Sequence, residues 1–166
     1  LYAVILNEEM ARTGICGLAA ALHSDVVVPY ITAFGSEETK HKYLPGCISG
    51  DIITAIAMTE PDAGSDPVSR RSTARREGDV YILNGEKMWI SLATLADNTL
   101  VFAKTDPHAE RPHKGITAFM ITKDMKGVTS GDIKGKMGVR AGSTGWIAME
   151  DVEVPIENRI GEELSL

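Results

Sequence analysis

Ile52-Ile53-Thr54-Ala55-Ile56-Ala57-Met58-Thr59-Glu60-Pro61-Asp62-Ala63-Gly64-Ser65-Asp66 is the stretch on which the reading of this chain turns. A short apolar run passes directly into a cluster of turn formers. A run this short, ended by Pro, Asp and Gly, suits a strand that stops in a loop rather than a helix. It also divides the chain. Upstream, apolar residues recur at helical spacing. Downstream, short runs of strand-like composition alternate with Gly, Asp, Pro and Asn clusters at intervals of roughly 8–12 residues, the pattern of an all-β barrel or sandwich.

Working upstream, Tyr2, Ile5, Leu6, Glu9, Met10 and Thr13 follow helical spacing, and Val4, Ile15, Leu18 and Leu22 extend the apolar surface. Ala19-Ala20-Ala21 favour helix. Residues 25–34 are almost uniformly apolar and read as a buried helix with Pro29 tolerated in its first turn and Gly35 as its stop. Ser36 is placed to cap a third helix, with Glu37 and Glu38 in its first turn and Lys40, His41 and Lys42 later; Pro45-Gly46 is expected to end it. These helices are too few to close a core around their apolar faces. Working downstream, the expected strands are 52–58, 70–77, 79–84, 86–90, 99–104, 116–122, 127–133 and 145–154. Glu77-Gly78-Asp79 and Asn84-Gly85 read as hairpin turns, and 106–114 as a polar loop.

Composition closes off several functions. A net charge of −6 over 166 residues argues against a nucleic-acid binder, which needs a basic surface to neutralise phosphates. Two cysteines, Cys16 and Cys47, are too few for a disulfide scaffold and fit a reducing compartment. Neither they nor the four histidines, His23, His41, His108 and His113, have metal-ligand spacing, so no metal is expected. No apolar run reaches the roughly 18 residues of a membrane span. Arg70, Arg71, Arg75 and Arg76 form a basic cluster, read as a solvated face split by strand alternation.

Two segments carry chemistry. The loop after Ile56 offers backbone N–H groups and the hydroxyls of Thr59 and Ser65, with Ala63 and Gly64 leaving room for close approach by a planar ligand. Glu60, Asp62 and Asp66 make it a poor phosphate cradle. Further on, Trp89 and Ser91 lie two apart on a strand and are expected on one face, an indole for stacking beside a hydroxyl for donation. Taken singly, each segment also reads as an ordinary turn or a core Trp with an incidental Ser.

Together, Thr59-Glu60-Pro61-Asp62-Ala63-Gly64-Ser65-Asp66 and Asn84-Gly85-Glu86-Lys87-Met88-Trp89-Ile90-Ser91 resemble the middle domain of the acyl-CoA dehydrogenase family. The resemblance extends to Phe34–Pro45, similar to the family's helix before that domain, and to Lys136–Thr144 followed by Glu150–Pro155, similar to its close. It implies an α+β fold: a partial α-helical domain (1–51), an antiparallel β-barrel-like middle domain (52–160) and the start of a linker (161–166) to a C-terminal helical domain absent from this sequence. It implies FAD as cofactor, contacted by Ile56, Ala57, Met58, Thr59, Gly64, Ser65, Trp89, Ile90 and Ser91, with Ser65 also binding substrate. The implied reaction is α,β-dehydrogenation of an acyl-CoA thioester with hydride transfer to the flavin. The implied partners are an electron-transfer flavoprotein and further copies of the chain in a tetramer, in the bacterial cytoplasm or mitochondrial matrix. The catalytic base is expected in the C-terminal domain; Glu60 is near but belongs to the loop motif. Leu92-Ala93-Thr94 and Ile56 depart from the family pattern and point away from straight-chain acyl groups. An acyl-CoA oxidase-like flavoenzyme and a non-catalytic β-barrel binding or assembly module are the alternatives.

Overall fold

A computed structural model describes residues 1–14 and 17–162. Ile15, Cys16 and the end of the expected linker lie outside the described residues. Helix α1 (Tyr2–Arg12) buries none of its side chains, and Tyr2, Val4, Ile5 and Leu6 are exposed. Ala19, expected to be helical, has φ 51 and breaks the chain before the helical residues that start at Ala20. A π-helical segment, Leu22–Val27, then runs into α2 (Val28–Phe34), with Pro29 in its first turn.

Helix α3 (Glu37–Ser49) begins as read: the Thr39 N–H donates to Ser36 Oγ at 3.1 Å. It does not stop at Pro45-Gly46. Proline removes a single N–H from the ladder, and the helix continues until Gly50 takes the left-handed turn (φ 85). There the N–H groups of Gly50 and Ile52 both donate to Gly46 O at 3.0 Å.

The rest of the chain forms β1 (Thr54–Ala57), β2 (Thr73–Glu77), β3 (Val80–Ser91), β4 (Asn98–Lys104), β5 (Ile116–Thr122), β6 (Val128–Asp132), β7 (Thr144–Pro155) and β8 (Arg159–Ile160). The α+β layout is the one expected. The sheet is mixed and open, in the order β6-β7-β3-β2-β4-β5-β8 with β1 added on β4. β1 arrives on β4 by a long crossover, so the two pair parallel, Thr54 with Asn98 through Ala57 with Val101.

Glu77-Gly78-Asp79 makes the expected hairpin between β2 and β3. Asn84-Gly85 does not. The two strands expected at 79–84 and 86–90 are one strand, β3, irregular where its pairing with β7 jumps from Leu83/Val152 to Gly85/Met149. Asn84 and Asp151 fill this bulge reciprocally: Asn84 Nδ2 donates to Asp151 Oδ1, and the Asp151 N–H to Asn84 Oδ1, each at 2.9 Å. Gly85 is needed there for close packing, since a Cβ on it would stand 2.7 Å from Ser72 Cα.

The core has two halves divided by the sheet. Val101 and Ala103 of β4 and Phe119 and Ile121 of β5 enter one half, with Tyr81, Leu83, Ile147 and Val152. Leu100, Phe102, Ile116, Ala118 and Met120 enter the other, against Val27, Ile31 and Tyr43 of the helices. Burial on both faces explains why β4 and β5 read as continuous apolar runs. β1 alternates likewise: Ala55 and Ala57 belong to the first half, while Ile56 packs on the second.

Candidate functional site

β1 delivers the first candidate segment. Ala57 is buried and Ile56 half-buried, both held by β4. Met58 emerges at 37% exposure and Thr59 is half-buried. A tight turn follows, with the Glu60 N–H donating to Ala63 O at 2.9 Å and the Ala63 N–H to Glu60 O at 3.2 Å. Gly64 and Ser65 then stand exposed, and a Cβ on Gly64 would meet nothing within 4 Å. Asp66 closes the excursion by accepting from the Val68 N–H at 3.1 Å and from the Ser69 hydroxyl.

β3 delivers the second. Its pairing with β7 slips again between Met88/Trp146 and Ile90/Gly145, which leaves Trp89 as the unpaired residue of a bulge. Trp89 has φ 62 and is 62% exposed, whereas Ile90 is 3% exposed and Ser91 half-buried. Over Trp89, Ile90 and Ser91 the burial runs exposed, buried, half-buried, so the bulge interrupts the alternation between Lys87 and Trp89 and not between Trp89 and Ser91. The left-handed residue reorients the strand and turns the indole outward, where regular alternation would have fixed its side.

A backbone hydrogen bond joins the two segments, the Met88 N–H donating to Thr59 O at 2.9 Å. Beside it, Lys87 Nζ donates to Glu60 Oε1 and to Phe102 O, each at 2.6 Å, with the Lys87 side chain 0% and the Glu60 side chain 4% exposed. Glu60 also accepts from the N–H groups of Arg71 and of Ser72, the latter at 3.2 Å. Burial works against ionisation of Glu60, but the bonds from Lys87, Ser72 and Arg71 outweigh it and hold the carboxyl below its ordinary range. Burial pushes the Lys87 ammonium down to about 8 against the pull of Glu60. Removing one member of such a pair costs about 3–5 kcal/mol, because the other charge is left buried.

Arg70 of the basic cluster is 2% exposed, its guanidinium 5.5 Å from the Phe102 ring centre, while Arg71, Arg75 and Arg76 are exposed. Among the described residues the hydroxyls of Thr59, Ser65 and Ser91 have no protein hydrogen-bond partner. An outward indole on a strained backbone, free hydroxyls and open space over Gly64 suit a planar heterocycle with polar edges. Glu60 is committed to three partners and is not a free base. No group of three or more metal-ligating side chains occurs among the described residues.

Sequence reasoning missed Lys87. Counting by twos from Tyr81 and Leu83 places Lys87 on their buried face, and an inward lysine requires an inward anion. The role of His23 was missed as well. Its Nε2 lies 3.0 Å from Cys47 O, while its Nδ1 accepts from the Thr54 N–H at 3.1 Å and lies 2.8 Å from Thr54 Oγ1. The ring thus ties the helices to the start of β1.

A family profile described as acyl-CoA dehydrogenase, middle domain, matches residues 55–152, and one described as acyl-CoA dehydrogenase, N-terminal domain, matches 1–51. The chain is 42% identical over 161 residues to isovaleryl-CoA dehydrogenase, mitochondrial, of Pongo abelii, covering 96% of this chain and 38% of that protein. The crystal structure of acyl-CoA dehydrogenase from Geobacillus kaustophilus superposes with a TM-score of 0.95 at 44% identity, over 98% of this chain and 43% of that one. The FAD complex of PigA superposes with a TM-score of 0.82 at 37% identity, over 86% of this chain and 37% of that one. The chain thus spans about 38% of the length of the curated relative it matches.

Proposed function

Because the chain belongs to the acyl-CoA dehydrogenase family, we propose that it supplies one wall of an FAD site in a protein that dehydrogenates an acyl-CoA thioester between Cα and Cβ. The observation that carries this reading is the bond from the Met88 N–H to Thr59 O, which sets the 56–65 loop beside the Trp89 bulge. When bound, the flavin would supply the acceptor for the β-hydrogen.

The chain's own residues orient and bind. Ile56, Ala57, Met58 and Thr59 form the near edge of the site, with the Thr59 hydroxyl free to donate. Trp89 offers its exposed indole as a flat wall, and Ile90 anchors that wall in the core. The Ser91 hydroxyl is available to donate to a ring heteroatom that gains electron density. Gly64 leaves space for close approach, and Ser65 serves both cofactor and acyl-CoA. We assign no residue of this chain as the base that takes the α-proton, since Glu60 is held by Lys87, Arg71 and Ser72. We place residues 1–51 with a helical domain, 52–160 with the β domain and 161–166 in a linker, within an oligomer that passes electrons to an electron-transfer flavoprotein, in a mitochondrial matrix or bacterial cytoplasm.

The test is FAD binding by the protein that carries this chain. Bound flavin released on denaturation and matched as FAD is the expected result. A folded protein that takes up no flavin during refolding or titration would refute the proposal.

A further inference from the structure

We infer that Lys87 and Glu60 are positioning residues: their buried ion pair fastens the flavin-facing loop to the strand that presents Trp89. The inference rests on the flavin reading above and adds to it the device that sets the loop.

Glu60 stands at the root of the loop, and its carboxylate reaches the loop's other end, where the Arg71 and Ser72 N–H groups donate to it. This side chain therefore ties together the two ends of the excursion from Glu60 to Ser72. Between these ends Gly64 and Ser65 are exposed, and Ser65 has no protein hydrogen bond of its own among the described residues. The loop's shape is fixed from its base. Lys87 then fixes that base in space. Its ammonium binds Glu60 at 2.6 Å and the Phe102 carbonyl of β4 at 2.6 Å, so loop, β3 and β4 meet at one nitrogen. The next residue, Met88, makes the backbone bond to Thr59 at 2.9 Å. Two adjacent residues of β3 thus hold two adjacent residues of the loop, immediately before the bulge.

Every hydrogen-bond partner of the pair is a protein atom, which is what preorganisation of a binding wall requires. A neutral replacement of both residues would remove the buried charges, fill the space and leave the Arg71 and Ser72 N–H groups without a carboxylate. Loop geometry and fold stability can therefore be separated.

The test uses the full-length protein with Lys87→Met, Glu60→Gln and the double variant, the last removing both charges so that the fold survives. Amide hydrogen exchange is followed in peptides covering 61–69 without cofactor, alongside FAD affinity and the shape of the bound flavin's visible absorption bands. Each variant is expected to exchange at least tenfold faster in 61–69, with β5 unchanged, and to bind FAD at least tenfold more weakly with altered bands. A folded double variant with wild-type exchange in 61–69 and wild-type FAD affinity would overturn the inference. If the wild type itself binds no FAD, the proposed function fails, while the exchange measurement still decides the role of the ion pair.

Discussion

Replacing Trp89 with glycine should leave the fold nearly intact while damaging the proposed FAD site. Trp89 is 62% exposed, so roughly 90 Å² of its side chain is covered, worth about 2 kcal/mol at ~25 cal/mol per Å². Against this, a non-glycine residue at φ 62 carries about 1–2 kcal/mol of strain that glycine relieves. Glycine also raises the entropy of the unfolded chain, a cost of about 0.5–1 kcal/mol. The net loss is about 0.5–2 kcal/mol, well below the roughly 3–5 kcal/mol of a buried tryptophan truncation. The sharper comparison is with Trp89→Ala, which loses the same indole but keeps the strain. Glycine should be the more stable of the two by about 0.5–1 kcal/mol, reversing the usual order of alanine over glycine in a strand. Urea unfolding of both variants, read by far-UV circular dichroism, measures this difference. FAD affinity should fall at least tenfold, about 1.4 kcal/mol, in either variant. An alanine variant more stable than the glycine one would refute the left-handed bulge. Unchanged FAD affinity would remove the indole from the site.

Three further outcomes follow from other residues. Ser91→Ala should slow flavin reduction by substrate roughly 5- to 150-fold with FAD still bound, the loss of about 1–3 kcal/mol from a donor aimed at developing charge; stopped-flow bleaching of the oxidised flavin measures it, and a wild-type rate would leave Ser91 a packing role. Glu60 ionises below its ordinary range in the fold, so its contribution is complete above the unfolded pKa near 4.5 and is lost as pH falls through the folded value; urea midpoints should drop across that acid window, and in Glu60→Gln the drop should be smaller. His23→Ala strips partners from Thr54 and from Cys47 O, and should destabilise the chain by about 3 kcal/mol in the same assay; a change below ~1 kcal/mol would mean that these groups find other partners.

The sequence made the architecture legible where a single period governs. The apolar runs at 98–104 and 116–122 are strands because both faces are buried, and Ser36 caps α3 because a hydroxyl before two glutamates has one good use there. Legibility failed where two distant residues share a decision. Asn84-Gly85 carries hairpin chemistry, but Asp151, on another strand, accepts and returns its hydrogen bonds and turns the pair into a bulge. Pro45 carries helix-stop chemistry, but Gly50 offers a better stop five residues on. The candidate site divides the same way. Its residues lie in recognisable motifs, while the outward turn of Trp89 and the bond from Lys87 to Glu60 depend on pairings with β7 and with a loop 27 residues away.

The parallel pairing of β1 with β4 also sets a timetable for synthesis. Thr54 cannot find Asn98 until the ribosome has made the residues between them, roughly 2–9 seconds at about 5–20 residues per second. For that interval the run from Ile52 to Met58 is an apolar strand without its neighbour, the kind of segment that recruits other nascent chains. Glu60, Asp62 and Asp66 follow it directly, and Asp51 precedes it. Charges flanking an unavoidable apolar strand repel its copies until the proper partner emerges. The same carboxylates that make this loop unfit to cradle a phosphate keep β1 soluble while it waits for β4.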